Sequence, residues 1–434
     1  MTQDADQIRR RWPESHDSHG TPRSAKSLDI NAVISTISRR QFLAIARTSG
    51  FSATVLALAG TQGPFSTTAL ARKAAKTSER RRKTKPRHTL RFATGYGTNH
   101  LQYLRAGVVE FIRDIETRSD GAIRVELIDN GTLCGGARCV YEAMRGAVDI
   151  ATAPTQAASA VAPWLNALDF PFVFPSRGQV YNFLYDPASE RLLRKTYRRT
   201  HRLEFLFALA EMRDLFVGPV WKEKPAISSL TQLAGSRIRV SNSQLARITL
   251  ELLGMRPVPL SWRQTAPGLK SGAIAGLESW TSAVTAFGMV PSVGQIVKLS
   301  FQPALVHTAM RTRSFDALGS ALQDNVLESA YQTQIIVQRT GEAALATLSG
   351  TGSAPAKGTV LAKNRIKIRA LSSAAMRQAR QTANPRDAAF KAWHSRLNRL
   401  AGFAVHDEIH AAVQTYASDT PAIDVVPRRW WRTT

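Results

Sequence analysis

TRSDGAIRVELIDNGTL, residues 117–133, is the stretch whose reading decides the fold. Ser119-Asp120-Gly121 reads as a turn, and AIRVELID (122–129) alternates apolar and polar side chains as a half-buried strand does. Upstream, TLRFATGYG (89–97) predicts a first buried strand ending in a glycine-containing loop. Between the two, Leu101, Leu104, Val108, Phe111 and Ile115 recur at helical spacing. Downstream lie a short helix through residues 140–144 and a strand, AVDIATAP (147–154). Strand, helix, strand, helix, strand at this spacing predicts a parallel sheet covered by helices, so the fold class is α/β. Ligands of open α/β sheets gather at the carboxyl ends of the strands, which singles out the loops beginning at Gly95, Asn130 and Pro154.

A second α/β stretch follows the Pro-broken aromatic segment LDFPFVFP (168–175). RIRV (237–240) reads as a strand after the turn at Ala234-Gly235, with a helix over 245–253 closed by Gly254. MRPVPLSW (255–262) returns as a strand, a helix runs on to Lys270, and GAIAGLESW (272–280) is a further strand with its loop. Residues 323–348 have few breakers and predict a long helix whose one weak point is Gly341; 349–358 is a loop and 372–400 is mainly helical. No repeat of 20–50 residues recurs, which argues against solenoids and propellers.

The chain has 434 residues, 44% of them hydrophobic, enough for one large or two medium-sized cores, and a formal net charge of +26. That charge is densest at the front, where residues 1–88 hold 17 Lys and Arg against 6 Asp and Glu. ARKAAKTSERRRKTKPRH (71–88) reads as a solvated linker; no aromatic residue interleaves with its basic ones to stack on bases. Zinc-ligand spacing, an RNP-type aromatic run and a basic region with heptads are all absent from the sequence, so nucleic acid is not expected as a partner.

SRRQFLAIA (38–46) places Arg39 and Arg40 against the apolar run FLAIARTSGFSATVLALAG (42–60), which is too short and too polar for a membrane span. With Ala69-Leu70-Ala71 behind it, this order describes an export signal cleaved after Ala71. Ser38, Arg39, Arg40, Phe42 and Leu43 resemble the twin-arginine signal; the plainer reading is an amphipathic helix start. Cys134 and Cys139, in GTLCGGARC, are close enough to bridge across a glycine turn, as suits an oxidising compartment. Four intervening residues do not match a redox motif, and two thiols are too few for a zinc site.

The order of motifs resembles the substrate-binding subunit of TRAP (tripartite ATP-independent periplasmic) transporters over about residues 90–380. The resemblance is carried by TRSDGAIRVELIDNGTL, AMRGAVDIATAP, LDFPFVF, LAGSRIRV, LGMRPVPL and SGAIAGLESW, in that order. It implies a two-lobed periplasmic binding protein fold of the type II kind, with crossing strands, a ligand cleft between the lobes and a long helix spanning both. It implies a periplasmic location, a small carboxylate ligand and TRAP permease subunits as partners, with no catalysis, cofactor or metal; the leader adds the twin-arginine export machinery. The expected organisation is a leader (1–71), a basic linker (72–88), the first part of lobe one (89–212), lobe two (213–300), the return with the spanning helix (301–348), and C-terminal helices with a tail (349–434).

The arginine of the family's "iRv" strand corresponds to Arg239, whose guanidinium offers two parallel donors to a carboxylate. Arg237, two residues earlier on the same side of the strand, competes for the role. The family's earlier arginine, ahead of "kPi", corresponds to Arg213. The "dg-e" loop contributes Glu278 and Trp280; Ser279 stands where many members have Asn, so an aromatic wall is expected unless Trp280 is core. Tyr96, Asn99, Thr155 and Gln156 sit at carboxyl ends of predicted strands, and Phe172 lies in the Pro-broken segment. Competing functions are an exported two-lobed α/β enzyme with a cofactor and a ligand-sensing module for a receptor kinase. Against the enzyme, the sequence has no G-x-G-x-x-G after a strand, no G-x-S-x-G, no H-E-x-x-H and no clustered His, Cys and carboxylate set, and His307 and His394 stand isolated in it. The tail RRWWRTT (428–434) suits either a membrane interface or the protein's own surface.

Overall fold

In the computed structural model, residues 85–97, 105–349 and 354–432 are described. Arg39, Arg40, the cleavage site and Asn99 fall outside them. Strands β1 (His88–Thr94), β2 (Ile123–Ile128), β3 (Ile150–Pro154), β4 (Leu203–Met212) and β10 (Pro303–Arg311) form a five-stranded sheet ordered β2-β1-β3-β10-β4. β5 (Asp214–Val217), β6 (Arg237–Val240), β7 (Arg256–Pro259), β8 (Gly276–Ser279), β9 (Gln295–Lys298) and β11 (Lys367–Ala370) form a second sheet ordered β11-β9-β5-β8-β6-β7. The expected parallel sheet is realised among β1, β2 and β3, and again among β6, β7 and β8. Both sheets are nevertheless mixed, because β10 and β5 pair antiparallel with their neighbours. The physical reason is the crossing: the chain passes from β4 to β5 through Arg213 and returns from β9 to β10 through 299–302, so each sheet receives a strand from the other.

These two crossings are hydrogen-bonded to each other, Arg213 N–H to Gln302 O at 2.8 Å and Phe301 N–H to Arg213 O at 3.3 Å. One core surrounds the first sheet, and two smaller ones lie against the second. The long helix, Ser320–Ser349, packs on β4 and also on the helix Thr281–Ala286 and the short helix Val360–Lys363, so it touches both lobes. β4 is buried along its whole length although it is an edge strand. The helix completes that edge: the Gln334 amide accepts from Ala208 N–H at 2.8 Å and donates to Ala208 O at 2.6 Å. Gly341 permits the approach, since a Cβ there would meet Leu209 Cδ1 at 2.7 Å.

Cys134 and Cys139 are bridged, with Cα atoms 5.0 Å apart. The bridged loop abuts the end of β1, where a Cβ on Gly95 would come within 2.8 Å of Gly135 Cα. Asn130 N–H donates to Tyr96 O at 3.1 Å, so the turn that leads into this loop supports the backbone that carries Tyr96.

The tail docks on the protein itself. Trp430 is 2% exposed in the first core, and the buried Arg194 guanidinium lies 4.1 Å from its ring centroid. Around it Arg428 pairs with Asp186, Arg429 with Glu328 and Arg432 with Asp324. These pairs are largely exposed on the arginine side and each contributes about 1 kcal/mol at most, so burial of the indole is the stronger anchor. Trp430→Ala is expected to cost about 3–5 kcal/mol in urea unfolding, while Arg432→Ala changes stability by less than about 1 kcal/mol. Equal effects of the two would contradict this ranking.

Candidate functional site

Arg213, in the first crossing, is 1% exposed. Its Nε donates to Glu278 Oε2 at 2.6 Å, Nη2 pairs with the same oxygen, and Nη1 donates to Gln302 Oε1 at 3.0 Å. The other oxygen of Glu278 accepts from Ser241 N–H at 3.0 Å. Carboxylate and guanidinium therefore use each other within the protein.

Arg239, on β6, contrasts with this. It is 7% exposed, its Nε donates to Leu260 O at 3.1 Å, and its guanidinium lies 5.2 Å from the centroid of the Trp262 ring. Its two terminal nitrogens make no hydrogen bond among the described residues. Burial lowers its pKa, Glu278 opposes that, and Arg213 adds to it. Arg237, the competitor, is exposed and spends Nη2 on Gly272 O at 2.9 Å.

Tyr96 reaches the same place from the first sheet. Burial raises its phenol pKa, and Arg239 is the charge that opposes the rise. Its ring meets Phe287 at 6.0 Å, and Phe287 meets Trp262 edge-on at 5.4 Å. Tyr96, Phe287, Trp262 and Arg239 thus form a continuous wall running from β1 to β6. Trp280, half-buried just past β8, packs against the core of the first sheet.

Four buried polar atoms here lack a hydrogen-bond partner among the described residues: Ser241 Oγ, Ser279 Oγ, Trp262 Nε1 and Trp280 Nε1. Ser241 follows β6, Trp262 opens the helix after β7, and Ser279 and Trp280 close β8. All four lie at carboxyl ends of the three parallel strands of the second sheet. Buried polar groups are nearly always satisfied, and each orphan costs about 1–3 kcal/mol, so this concentration calls for a partner with polar groups of its own. Ser241, Trp262, Ser279 and Phe287 are absent from the sequence-based set. The carboxyl-end rule, applied there to the first sheet, would have found three of them in the second.

The remaining candidates lie apart. Thr155 is fully buried, its hydroxyl 3.4 Å from Leu305 O. Gln156 donates to Pro303 O at 2.7 Å and leaves Oε1 without a partner among the described residues. Phe172 lies in a core of the second sheet, its backbone N–H on Phe301 O at 2.7 Å. Sequence reasoning also passed over Asp169, which links the Pro-broken segment to the second sheet by accepting from Ser243 Oγ at 3.3 Å; burial pushes its carboxyl up to about 7 against the pull of Arg213. No group of three or more His, Cys, Asp or Glu among the described residues is arranged to hold a metal.

Bacterial extracellular solute-binding protein family 7 (DctP) matches residues 92–386. The 2,3-diketo-L-gulonate-binding periplasmic protein YiaO of Escherichia coli K12 is 22% identical over 266 residues, covering 58% of this chain and 75% of that one. Among solved structures, a TRAP periplasmic solute-binding protein from Roseobacter denitrificans with bound L-galactonate has a TM-score of 0.59 at 18% identity, covering 72% of this chain and 99% of that one. Another, from Chromohalobacter salexigens with bound D-glucuronate, has a TM-score of 0.61 at 15% identity, covering 74% and 99%. At these identities the structural likeness establishes the two-lobed fold, and the family match establishes descent. The chain belongs to family 7 of the bacterial extracellular solute-binding proteins, the DctP family, and is a periplasmic solute-binding protein of the TRAP type, a receptor and not an enzyme.

Proposed function

We propose that the protein captures a polyhydroxylated carboxylate, a sugar acid, in the cleft between the lobes and delivers it to a TRAP permease. The observation that carries this is Arg239, nearly buried with both terminal nitrogens free of hydrogen bonds among the described residues. A guanidinium in that state is completed by a carboxylate with two parallel acceptors. The orphan hydroxyls of Ser241 and Ser279 and the orphan indole N–H groups of Trp262 and Trp280 would then meet ligand hydroxyls, with the aromatic faces against the carbon frame. The relatives from Roseobacter and Chromohalobacter hold sugar acids, which supports the same class. Arg213 and Glu278 act in this reading as the frame that fixes β6 and β8, and Tyr96 closes the cleft from the other lobe.

The test is a thermal-shift screen of the mature chain against hexonates, hexuronates, simple dicarboxylates and the matching neutral sugars. A sugar acid at a hundred times its dissociation constant is expected to stabilise by about 2.7 kcal/mol. Equal stabilisation by the neutral sugars would remove Arg239 from the reading; a response to dicarboxylates alone would remove the hydroxyl contacts.

We further propose that residues 1–71 are a twin-arginine leader, cleaved after Ala71, and that the lobes divide at about residue 213. The support for the leader is the motif Ser38-Arg39-Arg40-x-Phe42-Leu43 ahead of Ala69-Leu70-Ala71. Arg39→Lys with Arg40→Lys is expected to keep the precursor in the cytoplasm in a fractionation assay. Undiminished export of that variant would rule out the route.

A further inference from the structure

A cavity of about 340 Å3, not lined by Arg239, Trp262 or Tyr96, opens beside the Pro-broken segment. Its walls come from two cores. Phe172 belongs to a core of the second sheet, whereas His406 and His410 project from the helix Val405–Gln414, whose Val405, Ile409 and Val413 lie in the core of the first. Its charged lining is basic: Arg380 and Arg386, with the two histidines and no carboxylate. Arg380 holds its guanidinium 5.6 Å from the centroid of the Phe172 ring. Phe172 itself has φ of 60°, a left-handed backbone uncommon for a bulky side chain, maintained by its hydrogen bond to Phe301 O.

His406 is 4% exposed. Its Nδ1 lies 3.0 Å from Asp407 Oδ1, and because a carboxylate only accepts, that nitrogen carries the ring proton. Nε2 is buried without a hydrogen-bond partner among the described residues. The groups facing this imidazole are Asp407 and His410 on its own helix, His394 at 5.3 Å from the helix Lys391–Ala401, and the uncharged Phe170 ring at 5.2 Å. Arg386 reaches it through Asp407, at 3.1 Å. Burial holds the imidazole below its ordinary pKa against the pull of Asp407, and His394 and His410 add to the lowering. An anion in the cavity would reverse that balance.

We propose that this cavity is a second ligand site, which takes a small oxyanion, a carboxylate or a phosphate, between Arg380 and Arg386. As the anion enters, His406 takes a proton from solvent onto Nε2 and donates it to the anion as a hydrogen bond. Guanidinium groups match the paired oxygens of either anion, and two of them disfavour a metal cation. With walls from both cores, the bound anion would sit across the border between the lobes.

The test follows the histidine ring carbon resonances of the mature protein during separate titrations with inorganic phosphate and malonate. At least one is expected to move the His406 and His410 signals saturably, and to bind more tightly below the ordinary histidine pKa of about 6.5 than above it. Response to phosphate alone assigns a phosphate site, and response to malonate alone a carboxylate site. Arg380 and Arg386 are exposed, so the Arg380→Ala, Arg386→Ala variant should fold; it should weaken binding at least about tenfold, or 1.4 kcal/mol. Arg239→Ala should leave this binding within about twofold while weakening capture in the cleft at least about thirtyfold, which separates failure of this site from failure of the other. The proposal is overturned if neither anion moves these signals, if movement persists undiminished in the double variant, if it disappears with Arg239→Ala, or if zinc moves them where the anions do not.

Discussion

Arg213→Ala is expected to cost about 3–5 kcal/mol of stability, read as a lower urea midpoint with an unchanged slope. The reason lies in what remains. Arg213 and Glu278 are 1% exposed each, and without the guanidinium the Glu278 carboxylate keeps only the Ser241 N–H. Gln302 Oε1 also loses its donor, at the point where the two crossings are joined. A buried charge without its partner is the main part of the loss, so removing that charge as well should recover a share of it. In Arg213→Met with Glu278→Gln, the amide oxygen still accepts from Ser241 while the charge is gone. The double variant should be more stable than the sum of the singles by about 0.5–3 kcal/mol. Additive losses would mean that the pair does not act as a unit.

The α/β class was legible because each strand and helix carries its own period, whereas the preference for Arg239 over Arg237 came from the resemblance of LAGSRIRV to the family's strand. What the period does not carry is pairing across the crossing. The sequence places Arg213 and Glu278 65 residues apart, and nothing local says that one carboxylate occupies that guanidinium. The antiparallel entry of β10 is invisible for the same reason, since it depends on a chain that leaves one lobe and returns. Trp262 reads locally as the end of the strand 255–262; the structure ends β7 at Pro259 and starts a helix at Trp262, where Gln264 Oε1 accepts from Ser261 N–H at 3.2 Å. That capping contact turns the indole from a strand residue into part of the wall beside Arg239. Phe287 offers no local signal at all, because its meaning comes from Tyr96 and Trp262 meeting it from different sheets.

Arg239→Ala is expected to separate binding from stability, the reverse of Arg213→Ala. Among the described residues the side chain makes one hydrogen bond, to Leu260 O, and one ring contact, with Trp262, and its terminal nitrogens have no hydrogen-bond partner. Losing a single neutral acceptor's partner changes stability by roughly 0.5–1.5 kcal/mol, and removal of a buried cation that burial disfavours offsets part of even that. The ligand loses far more. A carboxylate left desolvated in the cleft without its guanidinium should bind about 2–5 kcal/mol more weakly, seen by calorimetry as a fall of one and a half to several decades in affinity. Arg239→Lys should recover only part of this, because an ammonium restores the charge and not the parallel pair of donors. If Arg239→Lys bound as tightly as the parent, charge alone would hold the carboxylate. If Arg239→Ala lowered the urea midpoint as far as Arg213→Ala does, Arg239 would be a second structural arginine, and the free fork would have no role in capture.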